Sequence, residues 1–100
     1  MREQAANQLE NARVTLAEIL RLFEDTEFQL ELLSAQDAWA RYADLNVRLV
    51  SGLDRPSAGT LAPLRAMIHE RLMIEARVKQ LQGFCIELQI PFPNQEKLQV

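Results

Sequence analysis

The residues best suited to chemistry in this chain are one histidine and one cysteine, each the sole residue of its type. His69 is followed by Glu70, as at the start of the helical zinc-protease motif, but that motif requires a second histidine four residues after the first. Met73 stands at that position. A zinc site needs three or four nitrogen, sulfur or carboxylate ligands. The sequence therefore predicts no metal site and no cofactor.

The other possible nucleophiles lack the neighbours that would activate them. Cys85 lies between Phe84 and Ile86, with no histidine or basic residue beside it to lower the pKa of the thiol. We therefore expect Cys85 to fill a small apolar site in the core. No serine stands in a Gly-x-Ser-x-Gly turn. Adjacent carboxylates such as Glu24 and Asp25 are typical of solvated helix ends. The sequence favours a protein that is not an enzyme and has no catalytic residue.

The composition indicates a small globular protein with mild negative charge. The chain has 100 residues, 48% of them hydrophobic, and a formal net charge of −3. Binding of nucleic acid usually needs a basic face that displaces counterions from phosphates, so we expect no nucleic-acid partner. No apolar run approaches the roughly 20 residues that span a bilayer, so we expect no membrane partner. The length predicts a single helical domain over residues 1–100.

The N-terminus and the cysteine content bear on the compartment. Met1 is followed by Arg2 and Glu3, without the apolar segment of a signal peptide. A single cysteine forms no internal disulfide, so nothing marks an oxidising compartment. The sequence as it stands predicts a cytoplasmic protein. A periplasmic or secreted protein is expected instead if a signal peptide has been removed.

The first half of the chain contains two segments with apolar residues at spacings of three and four, which is typical of helices with one buried face. The first predicted helix covers residues 3–24, and its apolar face consists of Leu9, Ala12, Leu16, Ile19, Leu20 and Phe23. The second covers residues 27–50, and its face consists of Phe28, Leu32, Ala35, Trp39, Tyr42, Leu45 and Leu49. Thr26 followed by Gln29 fits a capping box at the start of this second helix.

A loop separates these two helices from a third. Residues 51–59 contain the residues least suited to a helix, which are Gly52, Pro56 and Gly59. The third predicted helix covers residues 60–82, with Thr60 as its N-cap and Pro63 in its first turn. Its inward-facing residues are Leu64, Met67, Ile68, Leu72, Val78 and Leu81.

The C-terminal segment is predicted to leave the helical part of the domain. Gly83 is expected to end the third helix as its C′ residue. Residues 84–100 then form an extended tail, because Pro91 and Pro93 restrict the chain around Phe92. A proline-framed aromatic ring is a possible partner-binding residue. The alternative is that Phe92 packs against the open end of the bundle.

Three helices of similar length joined by short connections predict an all-α fold, an antiparallel three-helix bundle with an extended C-terminal tail. Up-down-up packing buries all three apolar faces without a long crossover. The alternative is an extended helical hairpin that dimerises, since two amphipathic helices also bury their faces across a two-fold axis.

Two segments of the chain carry a specific pattern. Residues 33–44 read Leu-Ser-Ala-Gln-Asp-Ala-Trp-Ala-Arg-Tyr-Ala-Asp, and residues 59–63 read Gly-Thr-Leu-Ala-Pro, followed by Arg77 and Leu81. Over about residues 30–82 the pattern resembles the signature of the LprI-type lysozyme-inhibitor family. The resemblance implies a bacterial helical inhibitor whose protein partner is lysozyme. It also implies structural roles for Ala35, Gln36, Trp39, Tyr42, Asp44, Arg77 and Leu81.

The chain departs from the family pattern at two cysteine positions, which fall on Val47 and His69. The arginine of the family's Arg-Asp pair is Ala43 here. Because the Cα atoms of a disulfide lie within about 7 Å, the resemblance implies that Val47 and His69 face each other across antiparallel helices. A family member that has lost its cysteines and acts on another target is the alternative.

The same register pairs other residues of the second and third helices. It places Trp39 opposite Arg77, and we expect the guanidinium to lie on or near the indole ring as a cation–π pair. The alternative is that Arg77 points to solvent and only its aliphatic stem covers the ring. The remaining pairs implied by the register are Gln36 with Gln80, Asp44 with Leu72, and Phe28 with Leu88.

Three functions are compatible with the sequence. The first is a non-enzymatic protein-binding helical domain, which the resemblance implies is lysozyme-inhibitor-like. The second is a cytoplasmic helical adaptor of unknown partner or a self-associating module, which as a pair of identical chains would be a homodimer. The third is an enzyme built around His69, for which no motif argues.

Overall fold

The computed structural model describes residues 2–53 and 61–92, and over these residues the chain forms three helices and no strand. Helix α1 spans Arg2–Arg21, α2 spans Gln29–Leu53 and α3 spans Leu61–Leu88. The predicted all-α class and helix bundle are confirmed. Helix α2 includes residues 51–53, which were predicted to begin a loop; the rest of that loop, with Thr60, lies outside the described residues.

A tight turn connects α1 to α2. After α1 ends, the amides of Leu22 and Phe23 bond to carbonyls three residues earlier, which tightens the chain. Asp25 has a φ of 64°, and this left-handed residue reverses the chain direction. The Thr26 hydroxyl donates to the Phe23 carbonyl at 2.6 Å and accepts from the Phe28 amide at 3.3 Å. Thr26 therefore stabilises the turn before α2, but the predicted capping box does not form: the Gln29 amide bonds to the Thr26 carbonyl rather than to its hydroxyl, and the helix begins at residue 29 rather than 27.

Helix α3 continues past Gly83, so the prediction that this glycine ends the helix is wrong. A glycine costs a helix interior about 1 kcal/mol relative to alanine, and burial of the apolar side chains that follow outweighs that cost. The helix ends in a Schellman motif: Gln89 has a φ of 58° and donates to Ile86, and the Ile90 amide donates to the Cys85 carbonyl at 2.8 Å. The predicted tail therefore begins at residue 89 rather than 84, and residues 93–100 lie outside the described part.

The core lies mainly between α1 and α3. The predicted face of α1 is confirmed, with Leu20 partly buried and the others buried: Leu9, Ala12, Leu16, Ile19 and Phe23. Cys85 is fully buried, as predicted for a small apolar core residue. Burial raises the pKa of its thiol, because the thiolate would lose its hydration.

Helix α3 contacts both other helices, and its interface with α1 is the more extensive. Helix α2 runs antiparallel to α3, since Gln36 meets Arg77 near one end and Tyr42 lies beside Met73 further along. Three helices packed in this order form the up-down-up bundle that the sequence predicts. Helix α2 contributes least to the core, with Ala43 buried and Leu32 and Trp39 partly buried.

The predicted apolar face of α2 is correct only in part: Leu32 and Trp39 pack against the core, but four other members of that face do not. Tyr42, Leu45 and Leu49 are 59%, 56% and 61% exposed, and Ala35 is exposed as well. Ala43 faces the core instead, and its small side chain allows α2 to approach the bundle closely. The helix carries apolar residues on two faces, so spacing alone did not distinguish the buried face from the exposed one.

The predicted face of α3 is correct in part. Val78 and Leu81 are buried, and Leu64 and Met67 are partly buried. The exposed residues Ile68 and Leu72 were predicted to face inward, which is wrong. Ile74 is buried instead. It stands four residues before Val78, and Val78 stands three before Leu81, so the three side chains form one continuous row against α1.

Candidate functional site

Arg77 is at the centre of a polar cluster between α2 and α3, which we call the Arg77 cluster: Gln36, Trp39, Arg77 and Gln80. The Arg77 Nε donates to Gln36 Oε1 at 3.0 Å, and Nη1 donates to Gln80 Oε1 at 2.6 Å. The guanidinium carbon lies 5.9 Å from the centroid of the Trp39 ring. This distance confirms the predicted cation–π pair. The cluster joins the two helices through one planar, charged group.

The charge of Arg77 is buried and has no counter-charge. The side chain is 6% exposed, and its Nη2 is buried with no hydrogen-bond partner. Both acceptors on the guanidinium are neutral amides, and no carboxylate pairs with it in the part of the chain that the structure describes. Burial lowers the pKa of Arg77 from its ordinary value. A buried, incompletely satisfied cation is destabilising, so its presence calls for an explanation.

The Arg77 cluster forms part of a surface groove, which we call the α2–α3 groove. Its volume is about 470 Å³, and it is lined by two residues of α2 and four of α3: Trp39, Tyr42, Met73, Ala76, Arg77 and Gln80. The floor is thus an indole ring beside a cation, and the other lining side chains are apolar or small except for Tyr42 and the amide of Gln80. A ligand in this groove would meet apolar surface and one positive charge together.

A row of apolar side chains continues from the groove along the exposed side of α2. We call it the α2 stripe, and it consists of Ala35, Ala38, Tyr42, Leu45 and Leu49. Its members alternate at spacings of three and four residues, the pattern of a coiled-coil seam. All five are exposed. Such a row usually packs against another helix, but within the described residues none covers it.

Two arginines, each four residues after an aspartate, lie along the outer edge of the α2 stripe. Arg41 and Arg48 are exposed and seven residues apart, so they share one edge. Arg48 pairs with Asp44 at 3.1 Å, as side chains four residues apart on a helix can. Both groups of this pair are more than half exposed, so the pair contributes little to stability.

The neighbouring residues His69 and Glu70 have different surroundings, and they do not act on a common site. Glu70 accepts from Arg13 of α1, with Oε2 2.7 Å from Nη2, and so joins α1 to α3. The His69 Nε2 is buried and has no hydrogen-bond partner. Glu70 is therefore committed to an ion pair rather than placed to polarise a water for His69. No group of three or more His, Cys, Asp or Glu residues among the described residues is positioned to hold a metal.

The remaining residues singled out from the sequence fall in different places. Leu81 is fully buried and Phe92 is buried in the core cluster, so the Phe92 ring packs at the end of the bundle. Asp44 and Val47 share a groove with Glu70 and Ile74. Leu72 lines a separate groove between α1 and α3. The proximity of Val47 to His69 and of Phe28 to Leu88 stays a prediction.

Sequence reasoning found Arg77 and Trp39 but missed the exposed stripe beside them. The contact between Trp39 and Arg77 was predicted from the register that the family resemblance implies between the second and third helices. A tryptophan and an arginine at these positions would not by themselves indicate a contact. The signal for the stripe was present as the alternation of Ala35, Ala38, Tyr42, Leu45 and Leu49. All of these residues except Ala38 belong to the predicted core face of α2, since a buried and an exposed seam have the same spacing.

No family model, curated protein or solved structure matches this chain. The resemblance to the LprI-type pattern therefore remains a hypothesis. Among the described residues, no helix has both the length and the apolar character needed to cross a bilayer.

Proposed function

We propose that this chain is a non-enzymatic protein-binding domain whose binding face is the α2 stripe together with the α2–α3 groove. The observation that supports this most strongly is the exposure of Tyr42, Leu45 and Leu49, each more than half accessible and all on one side of α2. Contiguous apolar surface of this kind marks interaction sites in soluble proteins. Tyrosine is also among the residues enriched at the energetic centres of interfaces.

The groove adds specificity to the apolar stripe. Trp39 and Arg77 form its floor, and aromatic and arginine side chains are the residues that most often dominate binding energy. The chemical groups that a hydrolytic or transfer enzyme would use are engaged elsewhere, with Cys85 in the core and Glu70 paired with Arg13. These positions favour recognition over catalysis.

Position-specific crosslinking tests the proposal. Benzoylphenylalanine in place of Tyr42 keeps an aromatic side chain in the stripe, and the same residue in place of Val14 gives a control on the exposed side of α1. In cells that express the native chain, we expect position 42 to give a discrete protein adduct that position 14 does not give. Leu45→Glu should abolish that adduct while leaving the helical circular dichroism unchanged. Equal adducts at both positions would refute the α2 stripe as the binding face.

Lysozyme inhibition is a second candidate, supported by one specific observation. Gln36, Trp39 and Arg77, which belong to the segments resembling the LprI-type signature, meet in one cluster. A turnover assay on lysozyme with micromolar chain tests it directly. Inhibition that is lost in Leu45→Glu would support this candidate on the same face. Unchanged lysozyme activity would remove lysozyme and leave the helical adaptor as the proposal.

A further inference from the structure

The α2–α3 groove occupies the place of a fourth helix. Helix α1 packs on α3 through a different row of side chains, and the groove is lined by α2 and α3. Helix α2 runs antiparallel to α3, so a helix laid in the groove would contact both, as in a four-helix bundle. The α2 wall offers the large side chain of Tyr42, and the α3 wall offers the small side chain of Ala76. This combination leaves room for a helix to approach α3 closely.

The floor of the groove indicates what that helix must carry. Arg77 is more than nine-tenths buried, and its Nη2 has no hydrogen-bond partner. Its Nη1 donates to the side chain of Gln80, which is an exposed residue. A carboxylate that takes the place of the Gln80 amide would give Arg77 its counter-charge. Charge-assisted hydrogen bonds of this kind are about twice as strong as those to neutral groups. The exposed Gln80 side chain can swing away without disturbing the core.

The charge of Arg77 argues for a different chain rather than a second copy. In a pairing of two α2 stripes the side chains that meet are alanine, tyrosine and leucine, and none of them has a carboxylate for Arg77. A parallel pairing would also set Ala38 against Ala38 and leave a gap beside the larger side chains. A helix of another protein with an acidic residue facing Arg77 would supply the counter-charge, and an acidic flank would face Arg41.

We propose that the α2–α3 groove binds an amphipathic helix of another protein that has an acidic residue facing Arg77 and acidic residues flanking its apolar face. This proposal rests on the proposed function and specifies the partner's chemistry. The apolar face of the bound helix covers the α2 stripe. Its central carboxylate displaces Gln80 and pairs with Arg77, and a flanking carboxylate faces Arg41.

Two synthetic peptides test the charge requirement. Both have the same leucine and alanine face at coiled-coil spacing; one has glutamate at the central position that faces Arg77 and on its flanks, and the other has lysine at the same positions. Fluorescence anisotropy with the labelled peptides and the full chain gives the two affinities. We expect the glutamate peptide to bind at least about tenfold more tightly at low salt, because Arg77 and Arg41 face it. Equal affinities, or tighter binding of the lysine peptide, would overturn the proposal.

Two matched variants test the role of Arg77. Gln80→Glu supplies a carboxylate to Arg77 from within the chain, and Gln82→Glu adds the same charge on the groove between α1 and α3. We expect Gln80→Glu to weaken binding of the glutamate peptide about tenfold and Gln82→Glu less than about twofold. Arg77→Met, which keeps the aliphatic stem, should weaken it by a similar factor. Similar effects of the two glutamate variants would overturn the proposed pairing.

The failure of this inference is distinguishable from the failure of the proposed function. Sedimentation of the chain alone reports self-association. If the chain is a dimer and Leu45→Glu dissociates it, the proposed acidic-helix partner is wrong, but the α2 stripe is still a binding face. A monomer that binds neither peptide would also overturn the acidic-helix partner, and the crosslinking at position 42 would then decide the proposed function separately.

Discussion

At the scale of single residues, Arg77 has opposing consequences for stability and recognition. Its guanidinium bonds to Gln36 and Gln80 and lies near the Trp39 ring, which joins α2 to α3. Its charge is nevertheless buried without a counter-charge, which costs free energy. A residue that serves folding alone would not need the charge. The arrangement is understandable if the missing carboxylate comes from a partner.

The stability of an Arg77 variant tests this view of the residue. An apolar side chain of similar length in place of an unpaired buried charge is often neutral or stabilising. We therefore expect Arg77→Met to change the free energy of unfolding by less than about 1 kcal/mol in urea titrations. Arg77→Ala, which also removes the stem that covers Trp39, should cost about 2 kcal/mol or more. A loss of similar size in Arg77→Met would show that the charge itself stabilises the free domain.

Cys85 predicts a pH dependence of stability. Burial raises the pKa of its thiol, so the folded chain holds the proton to a higher pH than the unfolded chain does. The associated stability is present below the unfolded pKa of about 8.5 and is lost as the pH rises through the folded pKa. We expect the free energy of unfolding to fall more steeply between pH 8 and pH 10 in the wild type than in Cys85→Ala. Parallel pH profiles would contradict this assignment.

At the scale of elements, the helices were predictable to different degrees. The buried face of α1 follows from the sequence because this helix has a single apolar row, from Leu9 to Phe23. Helix α2 has two apolar rows, and only tertiary packing selects the one containing Ala43. The position of Gly83 inside α3 likewise depends on packing, because the local preference for a helix end is weaker than the burial of the residues that follow.

The end of α3 gives a prediction that depends on backbone geometry. Gln89 has a φ of 58°, a left-handed conformation that glycine adopts without strain. We expect Gln89→Gly to raise the free energy of unfolding by about 0.5–1 kcal/mol. Gln82→Gly, inside α3, should lower it by about 1 kcal/mol. Urea titration of the two variants measures both changes, and a loss in Gln89→Gly would show that the Schellman motif is not maintained in solution.

Two leucines distinguish the exposed face of α2 from the core. Leu45 is more than half exposed, whereas Leu81 is fully buried. We expect Leu45→Ala to change the free energy of unfolding by less than about 0.5 kcal/mol and Leu81→Ala to cost about 3–5 kcal/mol. Thermal and urea unfolding of both variants provide the measurement. A cost above about 2 kcal/mol for Leu45→Ala would place the α2 stripe in the core, as the sequence pattern had suggested.

At the scale of the whole molecule, the bundle is closed on one side and open on another. Helices α1 and α3 share most of the core. The α2 stripe faces outward, and the α2–α3 groove beside it is open and has the Arg77 cation in its floor. The number and order of the helices were predictable from the sequence, since three amphipathic segments with short connections have few ways to pack. The open side was not, because exposure depends on how the helices are rotated against each other.

The most direct test of the central claim is a titration of the isotope-labelled chain with the glutamate-flanked peptide, followed by nuclear magnetic resonance. We expect amide shifts to concentrate on Tyr42, Leu45 and Leu49 of α2 and on Met73 and Ala76 of α3, while the exposed side of α1 around Val14 stays unchanged. Shifts concentrated on α1, or no shifts at millimolar peptide, would contradict the α2–α3 groove as the binding face.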